Sequence, residues 1–374
     1  MRILVAFGTR PEIIKLGPVC RELSRKPGVE LDVFWTGQHI ELAAGLLDLF
    51  EINVTHNGTD IMSEPGLAGK YSLMCQQIER LLKTNKYDWV VVQGDTATAA
   101  AAATAGFLNH VPVAHVEAGL RTDNMYSPWP EEFNRRMIAL ATTLHFAPTK
   151  ASRDNLLAEG IAPEKVLNVG NTVVDALLYT RKTIGPNYRP LDPEVADLPK
   201  DKKLILATLH RRENIGEPIR NVLRALGELG RDGDKLIVLP VHLNPEVRAT
   251  VLEYLGDVPN VRLLKPLQYP DFVHLLSRAS AVVSDSGGVQ EEAPTFGLPI
   301  LITRDTTERP EVIEAGFGRL VGSDFDAIVD GVRKLTSSDA VQLLHKANPF
   351  GRGDAAAQIA HHLTTPSEQS LVAA

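Results

Sequence analysis

Short runs of β-branched and aliphatic residues alternate with longer amphipathic or alanine-rich stretches along this chain, and the rhythm restarts once near its middle. Such alternation specifies βα units, because parallel strands can pair only across a long, usually helical, crossover. In the first half it predicts strands at Arg2–Phe7, Leu31–Thr36, Trp89–Gln93, Val111–Val116 and Thr143–Ala147. Helices are expected at Ile13–Arg25, Ile40–Leu49, Ala68–Lys83, Thr98–Phe107, Glu131–Leu140 and Ser152–Glu159. The second half offers strands at Lys203–Thr208, Lys235–Leu239, Val261–Leu264, Ser280–Val283 and Leu298–Thr303. Helices lie between them, with more at Phe325–Leu335, Ser338–Lys346 and the alanine-rich Gly353–Leu363, before a disordered tail after Thr364.

At 374 residues the chain suits two domains of the usual ~150 residues. The expected fold class is α/β: two Rossmann-like doubly wound domains, 1–170 and 171–352, facing each other across a cleft. Gly185–Lys203, rich in proline and charge, is the most linker-like stretch, with a hinge near Gly170 as the alternative.

Bulk properties exclude several classes of function. The net charge of −7 is spread without long like-charge blocks, which argues against an electrostatic nucleic-acid surface. Two cysteines, Cys20 and Cys75, cannot build a disulfide framework and fit a reducing cytoplasm. The start, Met1 to Gly8, is a strand too soon interrupted for a signal peptide, and no apolar run approaches the ~18 residues of a membrane span. Eleven scattered histidines show no metal-ligand spacing, so neither metal nor membrane is expected. His361 and His362 read as solvated surface.

In doubly wound sheets ligands bind beyond the carboxyl ends of the strands, and there the unusual polar residues fall. Gly8 to Lys15 brackets a helix start with Arg10 and Lys15, two cations able to grip a diphosphate; Pro11 suits the first turn, with Thr9 or Arg10 as cap. Asp95 follows the third strand, where it could also cap the next helix. His115 and Glu117 follow on the fourth, alternating onto one face, with a structural Glu117–Arg121 pair as the plainer reading. Glu131 opens a helix, where an acid is favourable for the dipole alone. In the second half His210, Arg211 and Arg212 follow one strand, and His242 and Asn244 the next. Ser286, Gly287 and Gly288 stand where a helix begins after Ser280–Val283, glycines that admit a close ligand and a helix start that favours anions. Glu291 and Glu292, suited to sugar hydroxyls, follow, then Arg304, Arg309 and Glu311. Anion cradle, hydroxyl acceptors and cations together suggest a nucleotide-diphosphate site.

These residues resemble the non-hydrolysing UDP-N-acetylglucosamine 2-epimerases over essentially the whole chain. The resemblance rests on GTRPEIIKLGPV, GQH, QGDTATAA, HVEAGLRT, YSPWPEEFNRR, GNTVVDAL, HRREN, PVHLNP, SDSGGVQEEAP and RDTTERPE, in order. It implies the glycosyltransferase-B type of fold, with the last helix, about 353–366, packing back on the first domain. It implies an isomerase without cofactor that interconverts UDP-N-acetylglucosamine and UDP-N-acetylmannosamine for surface polysaccharide, as a cytoplasmic homodimer. Asp95, Glu117, Glu131 and His210 match catalytic residues. Arg10, Lys15, His210, Phe272, Ser286, Gly287, Gly288, Glu292 and Arg309 match the UDP site, Glu292 on the ribose and Phe272 near the uracil. The stretch Gln38–Gly45, QHIELAAG, is apolar where members with an allosteric substrate site are polar. Neither Leu267 nor Gln268 is carried over as a contact. Gly316-Phe317-Gly318 follows a helix, the wrong context for a dinucleotide fingerprint. A hydrolysing epimerase, an epimerase of another UDP-HexNAc, a glycosyltransferase on the same scaffold and a silent UDP-sugar binder are the competing readings.

Overall fold

A computed structural model describes residues 1–37, 40–209, 216–241, 245–337 and 343–365. The chain divides into two compact units: Met1–Tyr179 joined by the chain from Phe350 onward, and Thr180–Pro349.

The first unit contains strands β1 (Arg2–Phe7), β2 (Glu30–Trp35), β3 (His56–Asn57), β4 (Trp89–Gln93), β5 (Val113–Val116), β6 (Leu144–Ala147) and β7 (Val166–Asn168). Its helices are α1 (Arg10–Ser24), α2 (Ile40–Leu49), α3 (Gly66–Thr84), α4 (Ala97–Leu108), α5 (Glu131–Ala141) and α6 (Lys150–Ala158). Helix α7 (Thr172–Ile184) carries the chain out. The sheet order among the described residues is β3-β2-β1-β4-β5-β6-β7, all parallel. Ile3 to Phe7 are fully buried, so central β1 is a continuous apolar run rather than an alternating one. Alanine explains α4: Ala99 to Ala103 are all 0% exposed, and their small side chains let the helix press against α3 and α5.

In the second unit the strands are β8 (Lys203–Thr208), β9 (Lys235–Pro240), β10 (Val261–Leu264), β11 (Ala279–Ser284), β12 (Ile300–Ile302) and β13 (Gly318–Leu320). They pair in parallel in the order β10-β9-β8-β11-β12-β13, so both units reverse their winding beside their first strand. The helices are α8 (Pro193–Ala196), α9 (Glu217–Gly230), α10 (Pro245–Leu255), α11 (Tyr269–Arg278), α12 (Gly287–Glu292), α13 (Pro310–Glu314) and α14 (Phe325–Leu335). The last helix, α15 (Ala355–Thr364), belongs to the first unit and packs on α1. The backbone N–H of its Ala356 donates to the buried Asp175 on α7 at 2.9 Å.

The predicted strands and most helices stand within a few residues of the observed ones, with differences that have physical causes. The short edge strands β3, β7 and β13 are two or three residues long and leave little periodic signal. The division between units falls inside α7, at Tyr179/Thr180, neither at 170 nor in Gly185–Lys203. That proline-rich stretch is anchored within the second unit: the fully buried Asp271 accepts from the Tyr188 hydroxyl at 2.7 Å and from the Leu191 and Asp192 N–H groups at 2.9 Å. The helix expected over Ser338–Lys346 falls partly outside the described residues, and within them Leu344 and His345 form a turn rather than a helix. The expected tail lies almost wholly outside them. Gly318 opens β13 rather than a βα turn, which agrees with setting aside a dinucleotide role for Gly316–Gly318.

Candidate active site

In the first unit the polar loops gather at the strand ends around the winding reversal between β1 and β4. Thr9 caps α1, and the first turn carries Glu12, 0% exposed. This carboxylate accepts from the Gly8 N–H at 3.0 Å, the Thr9 N–H at 2.7 Å, the Thr9 hydroxyl at 2.8 Å and the Thr96 hydroxyl at 2.6 Å. It therefore ties the loop after β1 to the loop after β4. Burial outweighs these four bonds and holds the Glu12 carboxyl above its ordinary range.

One turn further along α1, the Lys15 ammonium meets Glu117 Oε2 at 2.5 Å, and the Gln93 amide donates to the same oxygen. The Glu117 side chain is 9% exposed and its backbone sits at φ +62°. The left-handed region is costly for a residue other than glycine and persists where surrounding structure imposes it. Because β5 ends at Val116, the expected alternation of His115 and Glu117 onto one face does not hold. His115 is buried within β5, its Nε2 lies 2.7 Å from the Gly94 carbonyl, and burial lowers its pKa to about 4. The Glu117–Arg121 pair is also overturned: Arg121 binds Glu159 through two bonds of 2.7 Å. Gly119, at φ +95°, allows this loop to pass α6, since a Cβ there would stand 2.1 Å from the Ser152 carbonyl oxygen.

Asp95 does not cap α4; Thr96 does, accepting from the Ala99 N–H. Both Nε and Nη2 of Arg135 lie 2.8 Å from Asp95 Oδ2, and the Asn134 amide donates to the Asp95 carbonyl at 2.8 Å. Arg135 also reaches the fully buried Glu132 at 3.2 Å. Glu131 opens α5 beside it, with one carboxylate oxygen buried and without a hydrogen-bond partner among the described residues. Arg10 is the first residue of α1 and is half-buried.

The equivalent corner of the second unit lies where β8 and β11 adjoin. The Thr208 and Ser284 hydroxyls meet at 2.6 Å across these strand ends, and Ser284 Oγ accepts from the Ser286 N–H at 2.9 Å. Ser286 caps α12, as its glycines predict. Gly287 is needed for another reason as well: a Cβ there would stand 2.8 Å from Arg309 Nη1. Arg309 lies against that bare backbone and is bonded by Nε to Glu291 at 2.8 Å. Its Nη1 donates to Glu308 at 3.2 Å, and Arg304 donates to Glu308 at 2.9 and 3.2 Å. Burial pushes the Glu308 carboxyl up, but the two arginines prevail and hold it at about 2. Glu291 thus holds an arginine, while Glu292 is buried beside it. Gly288 is exposed, and Phe272 stands half-buried on α11. His210, with Arg211, Arg212, His242 and Asn244, lies outside the described residues.

The structure therefore joins Lys15 to Glu117 and links Asp95 through Arg135 to Glu132, the residue after Glu131 on α5. Sequence reasoning missed Glu12, Gln93, Glu132 and Arg135 as parts of the site. Two signals were available: Thr9-x-x-Glu12 has capping-box spacing, and Glu132 sits three and four residues before Arg135 and Arg136.

Two parallel, doubly wound units with polar clusters at their strand ends define a glycosyltransferase-B-like α/β protein. Residues 21–364 match the family described as UDP-N-acetylglucosamine 2-epimerase, and the chain belongs to that family. The UDP-N-acetylglucosamine 2-epimerase of Escherichia coli K12 is 44% identical over 375 residues, covering 96% of this chain and 97% of the relative. The crystal structure of UDP-GlcNAc 2-epimerase from Neisseria meningitidis bound to UDP-GlcNAc superimposes with a TM-score of 0.90 at 40% identity, covering 97% of this chain and 99% of that one. The Methanocaldococcus jannaschii enzyme in complex with UDP-GlcNAc and UDP gives 0.82 at 32% identity, with 97% and 99% coverage.

Proposed function

We propose that this chain is an isomerase that inverts C2 of UDP-N-acetylglucosamine, giving UDP-N-acetylmannosamine, reversibly and without net hydrolysis. Beyond family membership, the observation that carries this reading is the set of held carboxylates in the first unit, with Glu117 held by Lys15 and Gln93 and Asp95 by Arg135, whose helix Glu131 opens. Inversion at an unactivated carbon needs a base to remove a proton and an acid to return one on the other face, so one carboxylate is not enough.

In the proposed route a carboxylate takes the C2 proton while the C1–O bond breaks. The C–H electron pair becomes the C1=C2 bond of a 2-acetamidoglucal, and UDP departs with the C1–O pair. A second acid then protonates C2 from the opposite face as UDP re-adds at C1. No electrons are gained or lost overall, so the route calls on no redox cofactor. Asp95, Glu117 and Glu131 are the proposed acid–base groups, with His210. Arg10, Lys15, His210, Ser286, Gly287, Gly288 and Arg309 are assigned to the diphosphate, whose departing charge preorganised cations and N–H groups stabilise. Glu292 is assigned to the ribose and Phe272 to the uracil.

Proton NMR of the protein with UDP-GlcNAc in D2O tests this. UDP-ManNAc with deuterium at C2 and little free sugar is the expected result. Free ManNAc with UDP would replace it with a hydrolysing epimerase. Absence of both exchange and product would reject epimerisation of this substrate and favour a transferase or another UDP-sugar.

We further propose a cytoplasmic homodimer supplying ManNAc units for surface polysaccharide. Among the described residues no helix is long and apolar enough to cross a membrane, and both cysteines are free. Phe107 and Leu108 at the end of α4, 60% and 69% exposed, provide apolar surface for a second copy. Light scattering after size exclusion should give twice the chain mass, reduced when both become serine.

A further inference from the structure

The charged cluster of the first unit continues beyond Asp95. Arg135 binds Asp95 and Glu132, Glu132 binds Arg136 at 3.0 Å, Arg136 reaches Glu159 at 3.3 Å, and Glu159 holds Arg121. These six residues of alternating charge run from Asp95 to a cavity of about 540 Å³ that Arg136 and Glu159 help to line. The cavity lies where α5 and α6 end and β6 begins, at the opposite edge of the sheet from the strand ends that carry Asp95 and Glu117. Its size is that of small-molecule sites, roughly 300–1,000 Å³.

Three features of its wall specify an occupant. His145 lines the cavity and is 1% exposed; its Nδ1 is sealed away without a hydrogen-bond partner among the described residues, which leaves Nε2 as the ring nitrogen that can meet a ligand. The Lys165 ammonium makes no ion pair among the described residues. Ala139, Ile161 and Ala162 supply apolar wall. Burial, with the nearby His115 and Arg121, lowers the His145 pKa to about 3, so the imidazole is a neutral hydrogen-bonding group at physiological pH.

We propose that this cavity is a second ligand site, for a small carboxylate with an apolar body, and that its occupancy is felt at Asp95 through the ion-pair chain. Lys165 and Arg136 meet the carboxylate, His145 supplies a hydrogen bond, and the apolar wall covers the body. A carboxylate that draws Arg136 from Glu159 also weakens its hold on Glu132, and so alters how Arg135 orients Asp95. This coupling rests on the assignment of Asp95 as an acid–base group; the binding itself does not.

Calorimetric titration of benzoate into the full chain tests the site. A Kd on the order of 1 mM is expected for so small a ligand. It should weaken about tenfold in Lys165→Ala and in His145→Phe, the second keeping the ring volume. No binding, or equal affinity in all three proteins, overturns the site. Turnover of UDP-GlcNAc is then measured with benzoate present. A change of about threefold in KM or kcat, absent in Lys165→Ala, supports the coupling, and binding that leaves turnover unchanged overturns it. The isotherm needs no turnover, so failure of the epimerase reading would show separately.

Discussion

The two units wind alike but assemble their polar corners differently. In the second, the charged partners are near in sequence, Arg304 and Glu308 four residues apart and Arg309 and Glu291 eighteen, and the neutral Thr208–Ser284 pair described above spans a long separation, 76 residues. In the first they come from far away: Arg135 and Asp95 are 40 residues apart, Thr96 and Glu12 84, and Lys15 and Glu117 102. A local pair forms as soon as its loop folds. A distant pair forms only when β1, β4 and β5 lie side by side, and so reports on the completed sheet. The first unit also puts Glu117 in left-handed backbone, whereas the left-handed position in the strand–α12–strand segment of the second is Gly297. Strain is placed where the chemistry is proposed, and the corner proposed to hold the diphosphate is relaxed.

This contrast can be broken by experiment, and the largest effect belongs to the strained residue. Glu117→Gln should lower turnover by about 10³-fold while UDP affinity stays within a few-fold, measured by steady-state kinetics and calorimetry. Near-normal turnover would remove Glu117 from the mechanism. Next, Lys15→Met removes the cation from a nearly buried carboxylate, leaving it the Gln93 amide, and should cost about 3 kcal/mol in urea unfolding. Arg304→Met leaves Glu308 its Arg309 contact and should cost only about 1 kcal/mol. Equal costs would show that distant and local pairs do not differ.

A third test uses the return of α15, whose Ala356 N–H meets Asp175 across 181 residues of sequence. Burial raises the Asp175 carboxyl from its ordinary 3.8 to about 6. A raised carboxyl favours the folded state while protonated, so its contribution is complete below pH 3.8 and is lost as pH rises through about 6. Thermal unfolding of Asp175→Asn and the parent across this window should show the parent losing up to about 3 kcal/mol relative to the variant. A constant difference would mean that Asp175 titrates normally. The smallest stability effect is expected at Gly287→Ala, below about 1 kcal/mol, because the flexible Arg309 can shift. UDP affinity should nonetheless fall about tenfold, and unchanged affinity would remove Gly287 and Arg309 from the anion site.

The parallel α/β units and nearly every long element were legible because hydrophobic periodicity is a local property. The start of α12 at Ser286–Gly288 was equally legible, and so was that of α1, where of the two expected caps, Thr9 and Arg10, the structure selects Thr9, since capping depends on residues three or four apart. Less visible was α7: Val173, Val174 and Leu177 give it a buried face, but Gly170 and the following proline-rich stretch drew the boundary away from it. In the candidate site, motifs singled out Asp95, Glu117 and Glu131 but not the groups that hold Asp95 and Glu117. Arg121 was the nearest cation in sequence to Glu117, yet the fold gives Arg121 to Glu159 and Lys15 to Glu117.

The sequence by itself determined the βα rhythm, the polar loops at strand ends, the glycine-led start of α12 and the family. Those are short-range or motif-level facts, set by what each residue can do beside its near neighbours. Tertiary structure decided which charge meets which, that α15 joins the first unit, and that Glu117 adopts left-handed backbone. Parallel sheets bring into contact strand ends separated by whole crossovers, and no local rule says which of several nearby cations a carboxylate will meet.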